Sequence, residues 1–189
     1  MVNKVFWWVR HDWVTYKVPV SEGKVLLSQD ILDPKLQPFQ LNVQELWYSF
    51  VHGRKDRRRI ADFSGKDDAI FFVNERAYKT FEDMFLKHGR AFPVRCGNEP
   101  HYIVLIDTII DAMDLRRSEF ERLDMYPDLA DDAARTLKVV VKEGFNSTAD
   151  IFRDGPKKTK YDMLVSDAFK VRYEQSGLTG LMFRDTRGG

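Results

Sequence analysis

The sequence holds one cysteine, Cys96, and four scattered histidines, His11, His52, His88 and His101. One thiol excludes an intramolecular disulfide and a cysteine-rich zinc site. No His-x-x-x-His pair is present. No apolar run approaches the ~20 residues of a membrane-spanning helix. The apolar run 5–9 is shorter than the roughly 7–15 residues of a secretory signal, and no small-residue cleavage site follows it. A cytoplasmic location and no membrane partner are therefore expected. Net charge is lacking too. Thirty Lys and Arg oppose 29 Asp and Glu, leaving +1, which argues against a general nucleic-acid binder. There is no Walker loop, Gly-x-Ser-x-Gly, His-Glu-x-x-His or Gly-x-Gly-x-x-Gly, so no familiar catalytic motif is offered.

What is present is a chain of 189 residues with 43% hydrophobic and 13% aromatic side chains. That content is too apolar for disorder and sufficient for a core. The length suits one domain, 1–189, with a β-rich part at 1–66 and an α+β part at 67–189. The fold class expected is α+β: mixed or antiparallel sheets with a few short helices.

The pattern along the chain supports this. Residues 5–9 read as a buried strand, being β-branched and aromatic. Residues 15–19 read as a second strand ending at Pro19. Residues 21–39 read as loops broken by Gly23, Pro34 and Pro38. Segment 41–50 fits a strand or a helix by pattern and is read as a strand, since 42–45 makes a poor helix start, and 60–63 reads as a further short strand. Residues 69–73 form an apolar strand followed by Asn74, a helix N-cap, and Glu75, suited to the helix dipole. Tyr78, Phe81, Phe85 and His88 follow at helical spacing, and Gly89 reads as a left-handed stop. The chain then returns in extended form at 91–94. The C-terminus repeats the plan: strand 161–165, cap Ser166, helix face Phe169, Arg172, Tyr173 and Ser176, stop Gly177, returning strand 180–183. These are two strand–helix–strand units, although any capped helix between strands shares the pattern. Between them, 102–106 and 138–141 read as strands, and 118–123 and 127–134 as helix starts.

The neutral total conceals opposed charges. Residues 54–59 carry a net +4 and segment 107–132 a net −6. Arg54, Arg57, Arg58 and Arg59 offer a surface for phosphate or an acidic protein. No aromatics interleave them, which argues against single-stranded nucleic acid. The acidic segment, with Asp124, Asp128, Asp131 and Asp132, suits a basic protein partner. A solvated face explains either run equally. Three tryptophans, Trp7, Trp8 and Trp13, lie near the N-terminus. Strand alternation puts Trp7 and Trp8 on opposite faces, so an exposed Trp8 or Trp13 is a candidate contact residue. His11, Asp12 and His101 are the residue types of an alternative ligand or enzyme pocket. Neighbouring carboxylates such as Asp67 and Asp68 read as solvated.

The later part of the chain resembles a known family. Its pieces are Phe71, Phe72, Val73, Asn74, Glu75, Arg76 and Ala77, with Phe92, Pro93 and Val94; Ile110, Asp111, Ala112, Met113 and Asp114, with Ser118, Glu119 and Phe120; Asp150, Ile151, Phe152 and Arg153; Val165, Ser166, Asp167, Ala168 and Phe169; and the ending Gly177, Leu178, Thr179, Gly180, Leu181, Met182 and Phe183. This order is similar to immunity protein family eleven of bacterial polymorphic toxin systems, the myxobacterial immunity protein type, over roughly 69–185. Asn74 stands where serine is common and keeps the capping chemistry. The resemblance implies a non-enzymatic protein with no cofactor. It implies one partner, a cognate toxin catalytic domain bound one-to-one. It also implies that the motif residues are scaffold, with contacts elsewhere on the surface.

Overall fold

The computed structural model describes residues 5–12, 19–22, 47–50, 59–64, 70–96, 98–122, 134–155 and 162–187. In chain order the elements are β1 (Phe6–His11), β2 (Pro19–Glu22), β3 (Trp47–Phe50), β4 (Phe63–Ser64), β5 (Ile70–Asn74), α1 (Glu75–His88), β6 (Gly89–Cys96), β7 (Glu99–Ile106), β8 (Ile109–Ile110), β9 (Glu119–Arg122), β10 (Ala134–Lys138), β11 (Ile151–Asp154), β12 (Met163–Ser166), α2 (Asp167–Ser176) and β13 (Leu181–Asp185). One sheet runs β2-β3-β6-β7-β5-β4, a second β13-β1-β12-β11-β8, and β9 pairs with β10 alone. The β3–β6 and β8–β11 pairs are parallel and the other described pairs antiparallel. The fold is α+β with mixed sheets.

Both strand–helix–strand units are split by an antiparallel strand. β5 and β6 flank β7, and β12 and β13 flank β1. Each unit carries a further strand on the same side, β4 beside β5 and β11 beside β12. The order β6-β7-β5-β4 thus has the same pairing directions as β13-β1-β12-β11. The central strand differs in origin: β7 follows its unit directly, whereas β1 comes from the far end of the chain.

The two helix starts are built alike. Asn74 accepts from the Ala77 N–H at 2.9 Å and Ser166 from the Phe169 N–H at 3.3 Å, each cap contributing about 1 kcal/mol. The N–H of each cap donates to an aspartate carbonyl, Asn74 to Asp62 at 3.0 Å and Ser166 to Asp150 at 2.9 Å. Each aspartate carboxylate then reaches the other unit. Asp62 accepts from the Thr179 N–H at 2.9 Å and its hydroxyl at 2.8 Å. Asp150 meets Lys87 at 2.8 Å, while its own N–H donates to His88 Nε2 at 3.2 Å. Two reciprocal joints therefore tie the end of each helix to the start of the other unit.

Alternation along the strands fills three apolar clusters. Val9, Phe71, Val73, Val104, Ile106, Ile151, Met163 and Val165 face the helices and pack with Phe63, Phe81, Phe85, Phe169 and Tyr173. Phe6, Trp8, Phe152 and Leu164 face the opposite side of the five-stranded sheet, with Ala112, Met113 and Val139. Phe72, Ile103 and Leu105 face the opposite side of the six-stranded sheet, with Phe92 and Val94. Burial on both faces explains why 70–73 and 103–106 are continuously apolar rather than alternating. Phe81 of α1 stacks on Phe169 of α2 with centroids 4.2 Å apart, which joins the helices over the shared core.

Several local expectations are corrected. Gly89 is extended, with φ −173°, and is no left-handed stop. A Cβ there would lie 2.0 Å from the Leu105 carbonyl oxygen, so glycine serves close strand approach in the β6–β7 pair. Gly177, with φ 62°, is the left-handed cap. β2 begins at Pro19 rather than ending there, and residues 15–18 lie outside the described residues. β4 is Phe63–Ser64, while Ile60 is 49% exposed. Residues 119–122 form a strand, not a helix start. Ser118 is occupied across the chain, its Oγ accepting from the Val140 N–H at 2.9 Å, so it caps no helix. β10 ends at Lys138, and Val139 and Val140 lie buried beyond it.

Candidate functional site

The N-terminal strand β1 lies between β12 and β13, and its tryptophans part as alternation requires. Trp7, on the helix side, donates Nε1–H to Asp167 Oδ1 at 3.1 Å. Lys170 Nζ sits 4.6 Å from its ring centroid. The indole thereby ties the first turn of α2 to the sheet. Trp8 enters the second cluster and is 1% exposed. Its Nε1–H donates to buried Asp162 at 3.0 Å. Trp8 is therefore corrected as a surface contact residue, because the five-stranded sheet is covered on both faces and leaves its indole no exposed side. Trp13 lies outside the described residues.

Above Trp8 stand two arginines. The Arg10 guanidinium lies 5.3 Å from the ring centroid and that of Arg184 5.6 Å. Arg10 shares Trp8's face two residues along β1, and Arg184 is its direct cross-strand partner on β13. Sequence reasoning missed this pair, since no local signal brings residue 184 beside residue 8.

The acidic segment 107–132 runs through β8 and β9 into the stretch that leads to β10. Asp124, Asp128, Asp131 and Asp132 lie in 123–133, outside the described residues, as do Arg54, Arg57 and Arg58. Arg59 is described and exposed. The hairpin base is placed by its polar side chains. Thr136 donates its hydroxyl to Asp162, the carboxylate that also holds Trp8. On β9 the side chains of Glu119 and Glu121 point outward, while Phe120 packs on the second cluster. Beside the hairpin, buried Asp154 accepts from the Ala112 and Met113 N–H groups, each at 2.9 Å.

His11, Asp12 and His101 do not converge. His11 meets Phe71 edge-on and His101 stacks on Phe72. Those phenylalanines are neighbours on β5 and face opposite ways. The six-stranded sheet therefore separates the two histidines, and the alternative pocket is corrected on that ground. Burial lowers the pKa of His11 to about 4, against the raising effect of its hydrogen bond to the Ile70 carbonyl. Burial also lowers those of His101 and His88. In each case burial favours the neutral imidazole.

Several of the motif residues quoted above occupy scaffold positions. Asn74 and Ser166 cap helices and Gly177 ends one. Asp114 accepts from the Arg116 N–H at 3.0 Å, closing a turn. Phe152 is fully buried, and Phe120 and Phe183 pack at the edges of the two clusters they touch. Pro93 is exposed on β6. Among the described residues no group of His, Cys, Asp and Glu could hold a metal ion, and no helix is long and apolar enough to cross a membrane. No curated protein matches the chain. A family model described as an immunity protein family, Imm11, matches residues 18–188.

Proposed function

The chain belongs to the Imm11 immunity protein family, and on that premise we propose that it binds a cognate bacterial toxin domain and neutralises it by direct protein–protein contact. The supporting observation is the extent of the match, residues 18–188, which runs from β2 to β13. We read the protein as a non-enzymatic member of a polymorphic toxin system, used in competition between contacting cells. It works as one domain and binds the toxin's catalytic domain one-to-one. It acts in the cytoplasm, where the toxin's target would also lie. The scaffold placement of the motif residues supports this reading. Specificity is a difference of affinities, so it belongs to surface side chains that can change without disturbing caps and core.

Co-expression is the direct test. The toxin domain encoded beside this gene should arrest growth alone, and this chain should restore it. No rescue, with no complex on gel filtration, rejects the proposal. We place one contact on the acidic stretch between β9 and β10. Reversing Asp128, Asp131 and Asp132 to Lys is expected to slow association at low salt by about tenfold and to flatten its salt dependence. Stopped-flow rates equal to wild type would remove this stretch from the interface.

A further inference from the structure

Among the described residues the cationic pair above Trp8 has no counter-charge of its own. Arg10 and Arg184 form no ion pair among the described residues, although both guanidiniums are held within 5.6 Å of one ring centroid. Asp185 and Asp162 have partners of their own. Asp185 pairs with Arg187, its Oδ1 accepting from Arg187 Nε at 2.9 Å. Asp162 serves Trp8 and Thr136. On the other face, Lys170 pairs with Glu174. Two like charges on diagonal cross-strand neighbours repel one another. The indole face holds both by cation–π attraction and leaves their N–H edges to other partners. A planar guanidinium fork matches a carboxylate bidentately.

Resting on the toxin-binding reading above, we propose that Arg10 and Arg184 form a receptor for acidic side chains of the toxin domain. Trp8 is 1% exposed, so no base can stack on it, which separates this site from single-strand platforms that combine a cationic groove with open aromatics. The protein carboxylate is therefore the favoured occupant over a nucleic-acid phosphate. The site is also joined to β10. Asp162 holds Trp8 and, through Thr136, that strand.

The test compares wild-type chain with Arg10→Gln/Arg184→Gln, and with Arg184→Glu alone at its exposed position. Each is titrated with the toxin domain encoded beside the gene and, separately, with a single-stranded oligonucleotide. Thermal melting checks folding. The double variant is expected to raise Kd for the toxin domain about 30-fold at low salt, and Arg184→Glu at least as much. Arg10→Lys/Arg184→Lys keeps the charge but loses the fork, and should fall between wild type and the glutamine pair. Folded variants that bind the toxin as wild type does would overturn the inference while leaving the toxin-binding reading intact. Loss of oligonucleotide binding alone would also overturn it, and would reassign the site to nucleic acid. A wild-type chain that neither binds nor rescues rejects both proposals. Should the double variant fail to fold, Arg184→Glu decides.

Discussion

Gly180→Ala is expected to destabilise the fold by about 3–5 kcal/mol, the largest effect expected among the described glycines. Two costs combine at this position. Gly180 has φ +104°, where a side chain loses about 1–2 kcal/mol against ordinary backbone. A Cβ there would also sit 1.9 Å from the Phe63 carbonyl oxygen and 2.7 Å from the Ala61 side chain. The neighbour cannot yield cheaply. The Phe63 N–H donates to the Thr179 carbonyl at 2.9 Å. The Phe63 ring meets Phe71, Phe81, Phe85 and Tyr173. Moving Phe63 therefore opens the joint between the units and disturbs the main core. Gly144→Ala is the internal control, since its φ is +71° and nothing lies within 4 Å of the added carbon. It should cost only about 1 kcal/mol. Urea unfolding of both variants, with unchanged slope, measures the difference. Equal midpoints would mean that the loop 177–180 does not press on Phe63.

That loop shows why part of this fold is legible in the sequence. Asn74, Ser166 and Gly177 act within one helical turn of their own positions, so residue type and spacing suffice to read them. Gly89 and Gly180 act across the chain, against the Leu105 and Phe63 carbonyls. A glycine between a helix and a strand looks alike in both cases, so the sequence does not separate a left-handed cap from a close strand approach. The likeness of the two units was visible around their caps. Its extension to β4 and β11, and to central strands drawn from opposite ends of the chain, depends on pairing between distant residues. The tryptophans behave similarly. Alternation separates Trp7 from Trp8, but only the β1–β13 register brings Arg184 to Trp8. For the candidate site this matters most. The charge runs were legible as composition, whereas the arginine pair arises from sheet register and leaves no local trace.

Acidification should expose a second consequence of burial, a loss of about 3 kcal/mol of stability between pH 6.5 and 4 from His11 alone. The geometry explains the size. His11 is 5% exposed, and its Nε2–H donates to the Ile70 carbonyl at 3.2 Å. Its Nδ1 is buried with no hydrogen-bond partner among the described residues. A second proton would place a charge and an unsatisfied N–H there, so the folded side chain stays neutral down to about 4. The unfolded side chain binds a proton near 6.5. Between these values the unfolded state holds one more proton, and stability falls as pH falls, by about 1.4 kcal/mol per pH unit. Above 6.5 the contribution is complete, and below 4 the loss is complete. His88 and His101 are lowered too and add in the same direction. The paired carboxylates Asp83, Asp150 and Asp185 are also lowered, but they are lost in a more acidic window, below the ordinary carboxylate range. His11→Leu removes the titrating group and keeps an apolar side chain beside Phe71. It should cost some stability at pH 8, through the lost Ile70 bond, yet clearly flatten the slope between pH 6.5 and 4. Guanidinium unfolding across that range measures both quantities. An unchanged slope would mean that His11 is not held neutral between the two sheets. Burial thus favours the neutral form of these three histidines, so they add little to the charge a partner can read at the surface.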